Sequence, residues 1–263
     1  MINIATSMFF AEISGSAVAD VAALGSILIP AMKKKGYPGA FAAAVTSSSA
    51  SLAIIIPPSI PMIVYAVMSQ SSVVQLFVAG IIPGVIGGFF LMLAAYVTAR
   101  KKNFPVEETF NIPNVKKTAK DAALAFLLPV IILGGIFGGV VTATEGAGLA
   151  VVASLVIGFI YKEIDFKRLY ESACEGAIQT ASVMLLVAAS VLLGEFLTIE
   201  QIPQKVAESI IEFTNNKYAV LGILNIFLLI IGFFLHSVAA IILTVPIVMP
   251  LVNAVGIDPV HFG

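Results

Sequence analysis

The chain has 263 residues, 59% of them hydrophobic and only 11% charged, against about 25% charged in an ordinary soluble domain, so it cannot cover a water-soluble surface of this size. Its formal net charge of −1 and single cysteine, Cys174, exclude a phosphate-reading nucleic-acid binder, a disulfide framework and a thiolate metal cluster. The composition is that of an all-α polytopic membrane protein, and with no Trp any interfacial aromatic belt must use Tyr and Phe.

Residues 13–32 are apolar but broken by Ser14-Gly15-Ser16, with Glu12 before and Asp20 after. Each helical piece is too short to cross a hydrocarbon core of about 30 Å comfortably. A short helix, a polar tip and a second short helix read as a re-entrant hairpin, in which Gly permits the reversal and the Ser hydroxyls offer acceptors. Broken backbone at membrane depth is tolerated only inside protein or along a wet cavity.

Residues 41–68 are long enough to span but discontinuous in character. Thr46, Ser47, Ser48, Ser49 and Ser51 precede Pro57, Pro58, Ser59 and Pro61. The prolines remove amide donors and release upstream carbonyls. Such an unwound stretch presents uncharged oxygens suited to a hard monovalent cation such as Na⁺. The alternative is a proline kink whose hydroxyls bond back to their own helix.

Residues 73–99 form the next span, closed by Arg100, Lys101 and Lys102. Gly80, Gly84 and Gly88 recur every four residues within it, a packing signal for helix or subunit contacts. A polar linker follows over 100–121, with Pro105, Pro113, Lys116, Lys117 and Lys120. Further spans are expected at 122–141, at 147–161 and at 177–197. Thr142, Thr144 and Glu145 suit the N-terminus of the second of these, with hydroxyls capping free amides and an acid at the positive dipole end. Ile202, Val206, Ile210 and Phe213 recur opposite Glu208 and Glu212, which predicts an interfacial helix over 201–215. Residues 218–252 read as a second hairpin with its tip at Leu235-His236-Ser237-Val238, or else as two ordinary spans joined by a tight turn. An ionisable residue inside the membrane, here His236, is a functional candidate by default; its alternative is a hydrogen-bonded cavity-wall histidine. Glu195 reads as water-exposed and Cys174 as a small packing residue.

Placing Lys33–Lys35 on the cytoplasmic side brings Arg100–Lys102, Lys116–Lys120, Lys162, Lys167 and Arg168 to the same side, as the positive-inside rule requires. The first hairpin then opens to the inner face and the second to the outer face. The chain also resembles itself at an offset of 220: Val18/Val238, Ala19/Ala239, Ile27/Ile247, Pro30/Pro250 and Gly36/Gly256 coincide. Repeats of opposite orientation are a feature of secondary transporters; the alternative is two unrelated Pro-ended helices. No P-loop or HExxH occurs, so neither ATP hydrolysis nor zinc proteolysis is expected, and the protein does not read as an enzyme.

The run Glu12-Ile13-Ser14-Gly15-Ser16-Ala17-Val18-Ala19-Asp20, then Ile29-Pro30-Ala31-Met32-Lys33-Lys34-Lys35-Gly36-Tyr37, resembles the large permease subunit of the tripartite ATP-independent periplasmic (TRAP) transporters. Phe41 to Thr46, Ile56-Pro57-Pro58-Ser59-Ile60-Pro61, Thr144-Glu145 and Gly256-Ile257-Asp258-Pro259 fit the same family. The resemblance implies an ion-transporter-superfamily fold with inverted repeats, re-entrant hairpins and a discontinuous helix. Residues 1–99 would be part of the first repeat and 122–263 part of the second, joined by a cytoplasmic linker at 100–121. It implies Na⁺-driven, elevator-type import of an organic acid such as a dicarboxylate. The partners would be a periplasmic substrate-binding protein and a small membrane subunit, in the bacterial inner membrane, with no cofactor beyond the coupling ion. Ser14, Gly15, Ser16, Ser47, Ser49, Pro57, Pro58 and Ser59 would form a Na⁺ site, and Ser16, His236 and Ser237 would face substrate. Against the family pattern the chain starts within the first hairpin and stops before the partner helix of the second. It is therefore expected to be part of a longer permease or a truncated product, with a partial fold and an incomplete second Na⁺ site. The other readings are a Na⁺- or H⁺-coupled carrier of the same superfamily that uses no binding protein, and a truncated membrane scaffold without transport.

Overall fold

The computed structural model describes residues 1–104, 122–162, 164–214 and 216–263. Most of the linker expected at 100–121 therefore lies outside the described residues. All regular structure among the described residues is helical. Among the described residues, four helices are long and apolar enough to cross a membrane: Val73–Lys101, Ala143–Tyr161, Phe166–Ile199 and Ser237–Ala254. On the second and third of these, Val151, Phe159, Leu185 and Leu192 are exposed, an uncovered apolar surface suited to lipid rather than water.

The chain divides into two compact units, one of residues 1–59 and 77–164, the other of residues 60–76 and 165–263. The discontinuous segment belongs to the first unit as far as Ser59 and to the second from Ile60, and residues 122–164 belong with the first unit.

In the first unit, α1 (Ile2–Ser14) and α2 (Ala17–Lys34) are the arms of the first hairpin. α3 (Gly39–Ala50) runs into a 3₁₀ turn, Ser51–Ile54, and the helix then stops. The next helix, α4 (Ile60–Ser69), lies beyond the prolines and belongs to the second unit. The expected span 41–68 is thus two helices with a non-helical link. The cause is local: Pro57 and Pro58 cannot donate to the Ala53 and Ile54 carbonyls. Ser59 replaces one lost donor, its hydroxyl giving a 2.6 Å hydrogen bond to the Ile54 carbonyl.

α5 (Val73–Lys101) is a full span, and its glycine stripe seats it on the hairpin and the break. A Cβ at Gly84 would stand 2.7 Å from Ile56 Cγ1, and one at Gly88 would collide with Met8. Met8, Leu52, Ala53 and Ile56 share one apolar cluster with Ile4 and Ala11. The stripe therefore mediates helix packing within this unit. α6 (Ala123–Phe137) ends at Gly138-Gly139, shorter than the expected 122–141, with Gly139 at φ 68°. α7 (Ala143–Tyr161) starts four residues before the expected span because Thr142 and Glu145 form a reciprocal capping box.

The second unit holds α4, α8 (Phe166–Ile199), α9 (Ile202–Phe213), α10 (Lys217–Gly232), α11 (Ser237–Ala254) and the short α12 (Pro259–Phe262). α8 extends well before the expected 177–197. Its first turns are charged, with Lys167 and Glu171 paired at 3.9 Å at helical spacing, so the helix outruns its apolar stretch. α9 packs on α11, with Ala207 buried and Ile210 and Ile211 against the same cluster. Val206, expected on the apolar side, is exposed, because the small Ala207 sets the line of contact.

The 220-residue self-similarity is structural. α2 and α11 occupy the same positions at that offset, as do Ser16 and His236, which precede them in extended conformation. Gly36 and Gly256 both have positive φ, 87° and 68°. α3 begins at Gly39 and α12 at Pro259. Unrelated Pro-ended helices would not share start, stop and turn glycine together.

Candidate functional site

The first hairpin tip is built by Gly15. Its φ of 58° lets α1 end in a left-handed cap, with its N–H on the Ala11 carbonyl at 3.0 Å; a side chain at that φ would be strained. Ser16 then turns extended and caps α2, its hydroxyl oxygen accepting from the Ala19 N–H at 3.4 Å. The Ser16 N–H reaches the Ser14 hydroxyl at 3.3 Å. The Ser14 hydroxyl donates to the Asp20 carboxylate at Oδ1.

Asp20, which the sequence places beside the tip without a ligand role, is the residue the structure adds. It is 0% exposed, and its second oxygen, Oδ2, is buried with no hydrogen-bond partner among the described residues. A half-satisfied buried carboxylate is costly unless a positive charge compensates it. Among the described residues the N-terminal dipole of α2 is placed to do so, and that is a partial charge.

The break lies beside the same hairpin. Asn3 Nδ2 donates to Thr46 Oγ1 at 2.8 Å, and the Ser7 and Ser49 hydroxyls share a hydrogen bond at 2.8 Å. One turn on, Ala11 packs in the cluster of Leu52 and Ala53. α1 and α3 therefore advance together in parallel, and the progression carries the level of Ser14 toward residues 55–57. Both hairpin arms contact the 3₁₀ turn at Ser51–Ile54. Ser49, Pro57 and Ser59 are buried and Pro58 is half-buried; the Pro57–Pro58 peptide is cis. Ser47 is different. It is exposed; its hydroxyl bonds back to the Ala44 carbonyl at 3.2 Å, as that of Ser49 does to the Thr46 carbonyl at 3.1 Å, but it has no partner helix to meet among the described residues. Two residues along a helix turn the side chain by about 200°, so Ser47 points away from the face that Ser49 gives to α1. Asn3 and Ser7, spaced by four, carried the missed signal: a small polar stripe matched to Thr46 and Ser49.

In the second unit, His236 is exposed and makes no side-chain cap bond, and Ser237 is half-buried at the start of α11. These two and Ser16 lie in different units. The α11 interior is better determined. Pro246 leaves the Ile242 carbonyl without its helical donor, and the buried Ser190 hydroxyl of α8 supplies one at 2.8 Å. Ser190→Ala strands that carbonyl, at a cost of about 1–3 kcal/mol. A lowered unfolding midpoint of the detergent-solubilised protein is the expected result, and an unchanged midpoint would refute the pairing. The Tyr65 hydroxyl of α4 donates to the Pro259 carbonyl at 2.6 Å.

Comparison with known proteins gives a consistent result. The sequence matches the family described as "Tripartite ATP-independent periplasmic transporter, DctM component" over residues 1–263. It is 41% identical over 263 residues to the isethionate TRAP transporter permease protein DctMQ of Oleidesulfovibrio alaskensis, covering 99% of this chain and 41% of that protein. It is 40% identical over 257 residues to the C4-dicarboxylate TRAP transporter large permease protein DctM of Pseudomonas aeruginosa, covering 97% of this chain and 60% of that one. Identity to the sialic acid TRAP transporter large permease protein SiaM of Vibrio cholerae is 36% over 263 residues, covering 100% and 62%. The chain thus spans 41% to 62% of the length of these curated relatives.

Proposed function

Because the chain belongs to the DctM family of tripartite ATP-independent periplasmic transporters, we propose that it forms part of the large permease of a Na⁺-coupled importer of organic acids in the bacterial inner membrane. A periplasmic binding protein delivers the substrate, a small membrane subunit supports the permease, and the hairpins move with their cargo in an elevator-type cycle. The two 220-offset copies are the inverted repeats that such a cycle uses.

The observation that carries the coupling is the buried Asp20 carboxylate behind the half-buried tip. Ser14 and Ser16 present hydroxyl and backbone oxygens at the start of a half-helix, and Asp20 brings a carboxylate with one oxygen unsatisfied. The proline break approaches from the adjoining helix. Na⁺ gains from such a set what a neutral ligand would not: compensation of a buried negative charge. Asp20 thereby joins the Ser14, Gly15, Ser16, Ser49, Pro57, Pro58 and Ser59 group. Ser47, exposed and on the opposite side of α3 from Ser49, lies outside it. His236 and Ser237 open the second hairpin, where the amide end of α11 suits a carboxylate. The relatives are named for isethionate, C4-dicarboxylate and sialic acid; all are organic anions, and that is the class assigned here.

Reconstitution tests the proposal. Proteoliposomes carrying the permease with its small subunit, supplied with binding protein and labelled organic acids, are expected to accumulate substrate only under an inward Na⁺ gradient. Uptake that ignores Na⁺ would remove the coupling. Uptake without the binding protein would favour an independent carrier of the same superfamily.

A further inference from the structure

The buried polar pairs between α1 and α3 have a direction as well as a contact. The Thr46 hydroxyl donates to the Ala42 carbonyl at 2.9 Å, and the Ser49 hydroxyl donates to the Thr46 carbonyl at 3.1 Å. A hydroxyl has one proton to give, so both oxygens of α3 accept from α1. Asn3 Nδ2 is the donor at Thr46 and the Ser7 hydroxyl is the donor at Ser49, each at 2.8 Å. Ser7 and Ser49 are fully buried, which shields their bond from competing water.

The neighbouring contact is apolar, with Ala11 packed in the cluster of Leu52 and Ala53. Apolar packing is non-directional and tolerates a slide of one helix along the other. The polar pairs do not: a slide by one helical turn, about 5.4 Å, breaks both. Seven residues separate Ser7 from Ser14 at the tip, and seven separate Ser49 from Ile56 at the break. At about 1.5 Å per residue, the Ser7–Ser49 rung lies roughly 10 Å from each. That is too far to touch an ion held at the tip, yet it sets how tip and break are levelled.

We propose that Ser7 is a positioning residue, whose hydrogen bond to Ser49 holds the hairpin tip level with the proline break. Its effect on ion binding rests on the sodium reading of that tip. Ser49 then serves the site as the acceptor of this bond rather than as an ion ligand. A bond that only helps the helices pack would change the amount of folded protein and leave the behaviour of the folded fraction unaltered.

Ser7→Ala strands no buried donor, because the Ser49 proton stays on the Thr46 carbonyl. In the reconstituted, assembled permease it is expected to raise the half-saturating Na⁺ concentration about threefold, the effect of an average hydrogen bond between membrane helices. Maximal uptake should fall less. In a Cys174→Ser background, Ser7→Cys with Ser49→Cys replaces the hydrogen bond by a disulfide on oxidation. The oxidised pair is expected to recover most of the Na⁺ affinity that the reduced pair loses, since it restores the level without supplying an oxygen. Both forms are one polypeptide, so this comparison stands even if Ser7→Ala does not fold. Unchanged half-saturation in Ser7→Ala would overturn the proposal. So would a pair that does not cross-link in the folded protein, or an oxidised pair no better than the reduced one. A further readout needs no Na⁺. With Val18→Cys beside the tip as the lone thiol in the same background, adding Ser7→Ala is expected to speed maleimide modification in choline about threefold. Should uptake by the parent ignore Na⁺, the sodium reading falls and this rate decides: a faster rate supports the rung, an equal rate overturns it.

Discussion

Asp20→Ala is expected to lower Na⁺-driven uptake roughly 100-fold in the assembled permease. The substitution removes the carboxylate behind the hairpin tip and leaves the Ser14 hydroxyl with the long 3.5 Å contact to the Ser16 carbonyl. Removing one member of a buried charge pair costs about 3 kcal/mol or more, which corresponds to a factor of roughly 100 in an equilibrium constant. Asp20→Asn separates charge from shape. It keeps an oxygen for Ser14 and a side chain of nearly the same volume, so the tip should fold as before. Its half-saturating Na⁺ concentration is expected to rise by about tenfold, the effect of a loss near 1.4 kcal/mol. Uptake measured against Na⁺ concentration in proteoliposomes reads both. A purely structural Asp20 would instead lower the amount of folded protein with the Na⁺ dependence of the survivors unchanged.

Much of this arrangement is written in local residue chemistry. Ser14-Gly15-Ser16 announces a tip because only glycine readily adopts the left-handed conformation found there. Pro57 and Pro58 announce the break because they cannot donate, and Thr142 with Glu145 announces a helix start that the capping box realises. The repeat was readable because its turn glycines and prolines, Gly36/Gly256 and Pro30/Pro250, recur with the same spacing.

Other features depend on which way a side chain faces, and composition is silent on that. In a run of consecutive hydroxyls, Ser47 and Ser49 look alike. Only the partner helix, through Ser7, distinguishes the buried one from the exposed one. Asp20 reads as a polar residue near a turn until its burial is known. The charged start of α8, with Lys167, Arg168 and Glu171, reads as loop because the apolar period begins later, though the helix has already formed. The assignment of α4 to the second unit follows from Val64 and Tyr65 meeting α11 and α12, a long-range choice that no local pattern records. Ser190 belongs to the same class: its role exists only because Pro246 lies on another helix.

The central claim is that Na⁺ binds at the first hairpin tip, and it makes the tip's accessibility ion-dependent. Val18, two residues beyond Ser16 and outside the oxygen set, is 63% exposed. Cys174 is the chain's single cysteine and is exposed, so a Cys174→Ser background leaves Val18→Cys as a lone reporter. A ligand that favours the closed tip by about 1.4 kcal/mol reduces its open population tenfold. Modification of this thiol by a small maleimide is therefore expected to slow about tenfold when Na⁺ replaces choline at equal ionic strength, and the slowing should vanish with Asp20→Ala. The same rate in Na⁺ and choline would contradict a sodium site at the tip.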